Sequence, residues 1–229
     1  MNDPWAFGWT QVLTIIGFLI TLGIAVGGFR TFGRWKREKI EERRIEIALE
    51  ALSIAYEAEG VFENIRNPGA FGYETDDMPR SEGETNEDYK YRKTYYVPLK
   101  RIDNQKEFFL QVLKLKPRFM AVFGPETQKL FEDLHRARVH IQVSAQALMR
   151  RQHSEGEWNE ERRRLRTRME ADIWAGYEDV YPPEELPEGD RVKRLVEAFR
   201  DGIVRQCRPV VDREFKVEPQ AKKPVEGPS

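Results

Sequence analysis

A long segment without charged residues, close to the N-terminus, limits what this chain can fold into more than any other feature. Between Asp3 and Arg30 there is no Lys, Arg, Asp or Glu, and residues 9–29 read WTQVLTIIGFLITLGIAVGGF. A helix of about 20 residues spans the ~30 Å hydrocarbon core of a bilayer. The segment therefore predicts a transmembrane helix.

A cleaved signal peptide is the alternative interpretation of this segment. A signal peptide would need a basic region followed by a shorter apolar core. The residues before Trp5 read MNDP and include no Lys or Arg, and the apolar run is longer than such a core. We therefore expect an uncleaved anchor.

The residues on either side of the segment predict its orientation. Basic residues follow the segment and do not precede it. Because basic residues stay on the cytoplasmic side, the N-terminus is expected outside and the C-terminal domain in the cytoplasm. The single cysteine, Cys207, agrees with a reducing compartment. The residues expected at the membrane interfaces are Trp5, Trp9, Arg30, Arg34, Trp35, Lys36, Arg37 and Lys39.

The glycine pattern in the segment and the basic cluster after it each have two interpretations. Gly23 and Gly27 form a GxxxG spacing, and Gly17 with Thr21 repeats the pattern of small residues four apart. Small residues let two helices approach closely in lipid, but glycine is also common in transmembrane helices that do not associate. Similarly, the basic cluster after the segment either only sets topology or also holds anionic lipid headgroups, at about 1 kcal/mol per residue.

The rest of the chain predicts an all-α fold. Apolar residues recur at three- and four-residue steps, and no convincing run alternates β-branched with polar residues. We expect one N-terminal transmembrane helix followed by a cytoplasmic bundle of four or five amphipathic helices. The predicted division is a short extracytoplasmic N-terminus (1–8), the transmembrane helix (9–29), a basic juxtamembrane segment with an amphipathic helix (30–66), a loop (67–86), the helical bundle (87–213) and a disordered tail (214–229).

Prolines are expected to shape the bundle helices, which are predicted at 87–123, 125–152, 157–178 and 189–213. The apolar stripe of the first consists of Tyr91, Tyr95, Ile102, Phe109, Val112 and Leu113. Proline removes a backbone donor and crowds the preceding turn. Kinks or breaks are therefore expected at Pro98 and Pro117, and a bend or an early end at Pro209. The loop at 67–86 is long for a helix connection, so it is either disordered or functional.

The search for chemistry finds no catalytic, cofactor or metal site. Glu132 and His135 have the carboxylate–histidine spacing of di-iron bundles, but no second pair exists, so His135, His140 and His153 are interpreted as surface residues. Cys207 lies on an apolar stripe with no histidine near it in sequence, which favours a buried core role. The signatures GxxxxGK[ST], GxGxxG, GxSxG and HExxH are absent.

An arginine-rich run at residues 162–168 is the most basic stretch of the chain. Its members are Arg162, Arg163, Arg164, Arg166 and Arg168. They could bind anions such as phosphates or lipid headgroups. Glutamates precede the run, and pairs at three- and four-residue spacing would neutralise much of it. The preferred interpretation is a solvated, ion-paired face, then a protein-binding surface, then nucleic acid. The overall net charge of −1 also makes nucleic acid an unlikely partner.

Two stretches carry a resemblance to known proteins. Residues 62–74 read FENIRNPGAFGYE and residues 118–124 read RFMAVFG, with the apolar segment before both. This layout, over about half of the chain, resembles small single-pass bacterial inner-membrane proteins for which no activity is known. The resemblance implies a location in a bacterial inner membrane.

Together these features predict a non-enzymatic, membrane-anchored module for protein interaction or complex assembly. Its expected partner is another protein or a second copy of the chain, with no cofactor and no small-molecule substrate. Two alternatives stay open. One is an oligomerising membrane effector or sensor, and the other is a binder of anionic lipid or nucleic acid through the helix at 157–178.

Overall fold

The computed structural model describes residues 8–150, 160–176, 186 and 189–215, and every regular element in these residues is helical. The α-helices are α1 (Trp9–Ile65), α2 (Asn86–Asn104), α3 (Lys106–Phe123), α4 (Gln128–Met149), α5 (Glu160–Ile173) and α6 (Arg191–Phe215), with 3-10 turns at Gly72–Thr75 and Pro125–Thr127. The all-α prediction is therefore confirmed for these residues. Trp5, His153 and most of the predicted tail at 214–229 lie outside them.

The first of two compact units is Met1–Glu46. In this unit α1 begins at Trp9, and its large apolar side chains from Val12 to Val26 are exposed. The helix is long and apolar enough to cross a membrane. The prediction of an apolar N-terminal helix of that length is confirmed.

The second unit is Ile47–Ser229, in which residues 47–65 of α1 and helices α2–α6 share one apolar core. Helix α4 is central, because it packs against α2, α3, α5 and α6. Its fully buried residues Leu134, Ile141 and Leu148 recur every seven positions. That spacing puts them on one face of the helix, which is the face that the core covers.

Aromatic rings extend this core from helix to helix. The Phe131 ring of α4 lies 5.6 Å from Phe119 of α3 and 5.7 Å from Phe199 of α6. Phe62 of α1 and Phe109 of α3 meet edge to face at 6.0 Å. Edge-to-face pairs stabilise by about 0.5–1.5 kcal/mol beyond the area they bury, so these contacts help to fix how the helices pack.

The predicted helix at 87–123 is wrong, because the structure has two helices there. Helix α2 ends at Asn104 and α3 begins at Lys106, and between them Gln105 has a non-helical ψ of 15°. Asp103 and Asn104 are weak helix formers whose side chains compete for backbone groups. Among the described residues of the second unit there are six α-helical segments, counting residues 47–65 of α1, where four or five were expected.

Of the alternatives predicted at the prolines, a break or an early end is wrong, and a kink or bend stays a prediction. Pro98 lies inside α2, Pro117 inside α3 and Pro209 inside α6, and none of them ends its helix. A proline inside a helix leaves the carbonyl four residues earlier without its donor. For Pro98 and Pro117 that carbonyl belongs to Thr94 and Leu113, which are exposed. Water can satisfy such a carbonyl, so packing of the remaining turns is enough to keep the helix continuous.

The loop that was predicted at 67–86 is fastened to α2 by a buried arginine. Arg101 of α2 holds it: its guanidinium donates to the Asn67 carbonyl at 2.6 Å and to the Gly69 carbonyl. The same guanidinium pairs with both carboxylate oxygens of Glu74, at 2.7 and 2.9 Å. Arg101 and Glu74 are buried, so the interaction is a two-pronged ion pair shielded from water.

A second buried arginine joins the ends of three helices. Arg66, one residue past α1, donates to the carbonyls of Ala171, Asp172 and Trp174 at the end of α5. It also pairs with Asp190 at 2.7 Å. Asp190 in turn accepts the Lys193 backbone N–H at 2.8 Å in the first turn of α6. Because the last carbonyls of a helix have no partner inside it, Arg66 satisfies groups that would otherwise be buried without donors.

Asp172 completes this network from α5. Its carboxylate, only 2% exposed, accepts two hydrogen bonds from Arg191 of α6, at 2.7 and 2.6 Å. It also accepts the Ser144 hydroxyl of α4 at 2.6 Å. A buried carboxylate needs such partners, since an unpaired one costs several kcal/mol. Helices α4, α5 and α6 are therefore joined at one point.

Replacing Glu74 by Gln is expected to destabilise the protein by about 3 kcal/mol near pH 7, because Arg101 loses its buried partner. The Arg101 hydrogen bonds lower the pKa of Glu74 below its ordinary value of 4.5. The charged carboxylate therefore stabilises the fold above about pH 4.5, and that contribution is lost as pH falls through the lower folded-state pKa. The difference between wild type and Glu74→Gln should shrink towards pH 3 when urea unfolding is followed by circular dichroism.

The exposed Glu82 of the same loop gives a matched control. Glu82→Gln should change the unfolding free energy by less than about 0.5 kcal/mol at either pH. Equal destabilisation by Glu74→Gln at pH 7 and pH 3 would contradict a role for the ionised carboxylate.

Candidate interaction surface

A groove of about 570 Å³ lies between α3 and α4. Its α3 side consists of Lys106, Phe109, Leu110, Val112, Leu113 and Lys116, and its α4 side of Phe131, Glu132, Leu134, His135 and Arg138. Most of these side chains are apolar or basic. The groove is thus an apolar surface that carries positive charge.

Helix α3 is apolar on two faces, and only one of them enters the core. Phe108, Leu115 and Phe119 are buried and recur along one side of the helix. Leu110 and Leu113 lie on another side and stay 45% and 67% exposed. Fully burying a leucine stabilises by about 1.5–3 kcal/mol. A partner that covered Leu110 and Leu113 would therefore bind more tightly.

The basic groups of the groove differ from seven buried or half-buried arginines of the second unit, which form ion pairs. Lys106, Lys116 and Arg138 form no ion pair with any described carboxylate. Among the buried and half-buried arginines elsewhere in this unit, the following pair with carboxylates: Arg66, Arg92, Arg101, Arg118, Arg166, Arg191 and Arg200. The groove therefore concentrates positive charge that the described residues do not neutralise.

Arg138 shows this most clearly. Its guanidinium carbon lies 4.6 Å above the Phe109 ring, in a cation–π contact. Its Nε–H is buried and has no acceptor among the described residues. Glu132, on the same helix, also lines the groove and accepts the Gln128 side-chain amide at 2.5 Å. No ion pair joins Arg138 to a carboxylate of the described residues.

The residues predicted at the membrane interface lie on α1, apart from Trp5, which is outside the described residues. Trp9 and Trp35 are 85% and 54% exposed. Lys39 pairs with Glu42 at 2.6 Å, and the Arg37 guanidinium donates to the Gly33 carbonyl at 3.2 Å. Arg30, Arg34 and Lys36 follow on the same helix. Their interface role stays a prediction.

The glycine pattern also lies on α1. A β-carbon placed on Gly17, Gly23 or Gly27 would meet nothing within 4 Å. The Thr21 hydroxyl donates to the Gly17 carbonyl at 2.9 Å. This face has the open surface that a second helix would need, and association through it stays a prediction.

The arginine-rich run lies on α5, away from the groove residues in sequence. Arg164 pairs with Glu160 at 2.6 Å, and Arg166 with Glu170 at 2.8 Å. Glu170 is buried and also accepts the Tyr95 hydroxyl at 2.9 Å. Burial, followed by the nearby Glu170 charge, raises the pKa of Tyr95. Arg166 therefore belongs to a structural network. Anion binding by Arg162, Arg163, Arg164, Arg166 and Arg168 stays a prediction.

The cysteine and histidine side chains are the titratable groups that were candidates for nucleophilic or metal chemistry. Cys207 is fully buried, and burial raises the pKa of its thiol to about 12, so the thiolate that nucleophilic chemistry needs is not formed near neutral pH. His135 is exposed in the groove and His140 is half-buried. No three His, Cys, Asp or Glu side chains among the described residues are grouped so that they could hold a metal ion.

Sequence reasoning missed the groove because it assigned Phe109, Val112 and Leu113 to a single core stripe. That stripe ran through a helix that the structure divides at Gln105. The signal that could have revealed the groove was the excess of apolar residues on α3, which are too many for one buried face.

Comparisons with family profiles, with curated proteins and with solved structures found no match. Function must therefore be assigned from the chemistry of the described surfaces.

Proposed function

We propose that this protein is a single-pass, membrane-anchored interaction module, not an enzyme, and that it binds protein through the groove between α3 and α4. In this proposal α1 crosses a bacterial inner membrane with the N-terminus outside, and the second unit lies in the cytoplasm. The exposed, positively charged apolar groove is the observation that carries the proposal.

The anchor is supported by the composition of α1. Its N-terminal part is long and apolar enough to cross a membrane, and the basic residues follow it. Positive charge on one flank orients such helices with that flank in the cytoplasm. The reduced state expected for Cys207 fits the same orientation.

The groove has the properties of a helix-binding surface. Contiguous exposed apolar residues rimmed by polar ones mark interaction sites. The groove combines leucine, phenylalanine and arginine side chains, as do grooves that bind the apolar face of a partner helix. Phe109 and Arg138 are held by contacts within the fold, and ordered anchors lose little entropy on binding.

The buried charged groups favour a structural role over catalysis. Arg66 pairs with Asp190, Arg191 with Asp172, and Arg101 with Glu74. Each pair fixes a helix end or a loop. Groups that satisfy one another in this way are poorly placed to exchange protons with a substrate.

A photoreactive amino acid at position 113 should crosslink the protein to a binding partner in native membranes, because Leu113 lies in the groove. The same residue at position 143 is the control, since Val143 is 57% exposed on α4 and does not line the groove. Adducts should form from position 113 and not from 143, and Leu110→Asp should remove them. Adducts of equal yield from both positions, or none from 113, would contradict the proposal.

A second candidate function is an oligomerising membrane effector or sensor. The observation that favours it is the open face around Gly23 and Gly27. Close approach of two such faces would bring helices together in lipid.

Gly27→Leu should weaken self-association and relieve any depolarisation that overexpression causes, because the larger side chain separates the two backbones. Ala25→Leu is the matched control. Two residues turn a helix by about 200°, so Ala25 faces away from Gly23 and Gly27. Association can be measured by energy transfer between labelled copies in vesicles. If both variants behave alike, this face does not mediate association.

A further inference from the structure

We propose that the partner in the α3–α4 groove is a second copy of this chain, which inserts the exposed face of residues 49–60 of α1. This inference rests on the proposed function, because it names the partner for the same groove. It is carried by a match of length and charge between two surfaces of one molecule.

The inserted surface is a narrow stripe along α1. Leu49, Ser53, Tyr56 and Gly60 recur at steps of three and four, and all four are exposed. Leu49 and Tyr56 remain 43% and 48% exposed, although the opposite side of this helix is buried in the core. A β-carbon on Gly60 would meet nothing within 4 Å, so this position lets another surface approach closely.

Acidic residues border this stripe. Glu57 lies on one side of it and Glu63 on the other, because they are one residue after Tyr56 and three after Gly60 in a helix of 3.6 residues per turn. Both are exposed, and neither forms an ion pair with a described residue. The stripe therefore presents Leu49 and the Tyr56 ring beside two exposed carboxylates, while the Tyr56 hydroxyl accepts a hydrogen bond from Arg208 of α6 at 3.0 Å.

The groove has the complementary pattern. Lys106 and Lys116 lie on its α3 side and Arg138 on its α4 side, and these three basic groups have no carboxylate partner among the described residues. Opposite charges on two exposed surfaces steer them together and fix their register. The apolar stripe would then cover Leu110 and Leu113.

The two surfaces also match in length. Lys106 and Lys116 are ten residues apart, or about 15 Å along α3, and Leu49 and Gly60 are eleven apart, or about 16 Å along α1. In addition, α1 and α3 are neighbours within one copy, since Arg118 pairs with Glu50 at 2.8 Å. Because the stripe and the groove are adjacent in each copy, two copies related by a two-fold axis can each insert the stripe into the groove of the other.

An acyl chain with an anionic headgroup shares part of this chemistry. It would occupy the groove floor but would leave the stripe on α1 uncovered. A second copy covers both exposed apolar surfaces and pairs both sets of charges, so it accounts for more of the described surface.

Mixed disulfide formation tests the proposal in the full chain in vesicles. One tagged copy carries Ser53→Cys, a nearly isosteric change on the stripe, and a differently tagged copy carries Leu113→Cys. The native Cys207 is buried and serves as an unreactive background. With a mild oxidant the two tags should be joined about tenfold faster than when the second copy carries Val143→Cys, because docking raises the local thiol concentration.

Charge reversal separates this contact from association through the glycine face. Lys106→Glu with Lys116→Glu on the Leu113→Cys copy should lower the disulfide yield about tenfold, since like charges then meet. Glu57→Lys with Glu63→Lys on the Ser53→Cys copy should restore it. Restoration requires both variants to be folded, so it cannot arise from misfolding.

Disulfide rates for position 113 no higher than for position 143, or failure of the restored charge pairs, would overturn the proposal. If position 113 still photocrosslinks a different protein, the groove remains an interaction site and only the identity of its partner is wrong. If position 113 crosslinks nothing, the proposed function fails as well.

Discussion

The buried guanidinium of Arg66 is the interaction on which the architecture of the second unit depends. It is 4% exposed and satisfies three carbonyls at the end of α5 as well as the carboxylate of Asp190 before α6. A helix C-terminus carries partial negative charge, so a cation placed there is stabilised twice, by hydrogen bonds and by the helix dipole. Removing Arg66 would leave the buried Asp190 without its cationic partner and would take a donor from three buried carbonyls, which is far more costly than losing one surface contact.

The internal pairing of carboxylates also affects the charge of the protein surface. Asp172, Asp190 and Glu74 are each engaged by an arginine inside the fold, so these carboxylates do not neutralise the basic groups of the groove. Arg138 instead rests on the Phe109 ring. The same fold that fixes the helix ends leaves a positively charged apolar groove between α3 and α4 and an exposed stripe on α1 with Glu57 and Glu63 beside it.

The sequence could predict the helical class and the apolar N-terminal helix, because both follow from local pattern and composition. It could not predict the Arg66 network, since Arg66 and Asp190 are more than a hundred residues apart and nothing local links them. It placed Leu113 in the core, because periodicity shows that a helix face is apolar without showing whether another helix covers it. Local preference also allowed breaks at Pro98 and Pro117, but packing keeps α2 and α3 continuous there.

The measurement that tests the central claim most directly is the labelling rate of Leu113→Cys by a maleimide. The introduced thiol would be the reactive one, because burial raises the pKa of Cys207 to about 12. If the groove is occupied in its native membrane, labelling there should be about tenfold slower than in dilute detergent-purified protein. Val143→Cys should label at similar rates in both. Equal rates for Leu113→Cys in the two samples would contradict the claim that the groove is an interaction site.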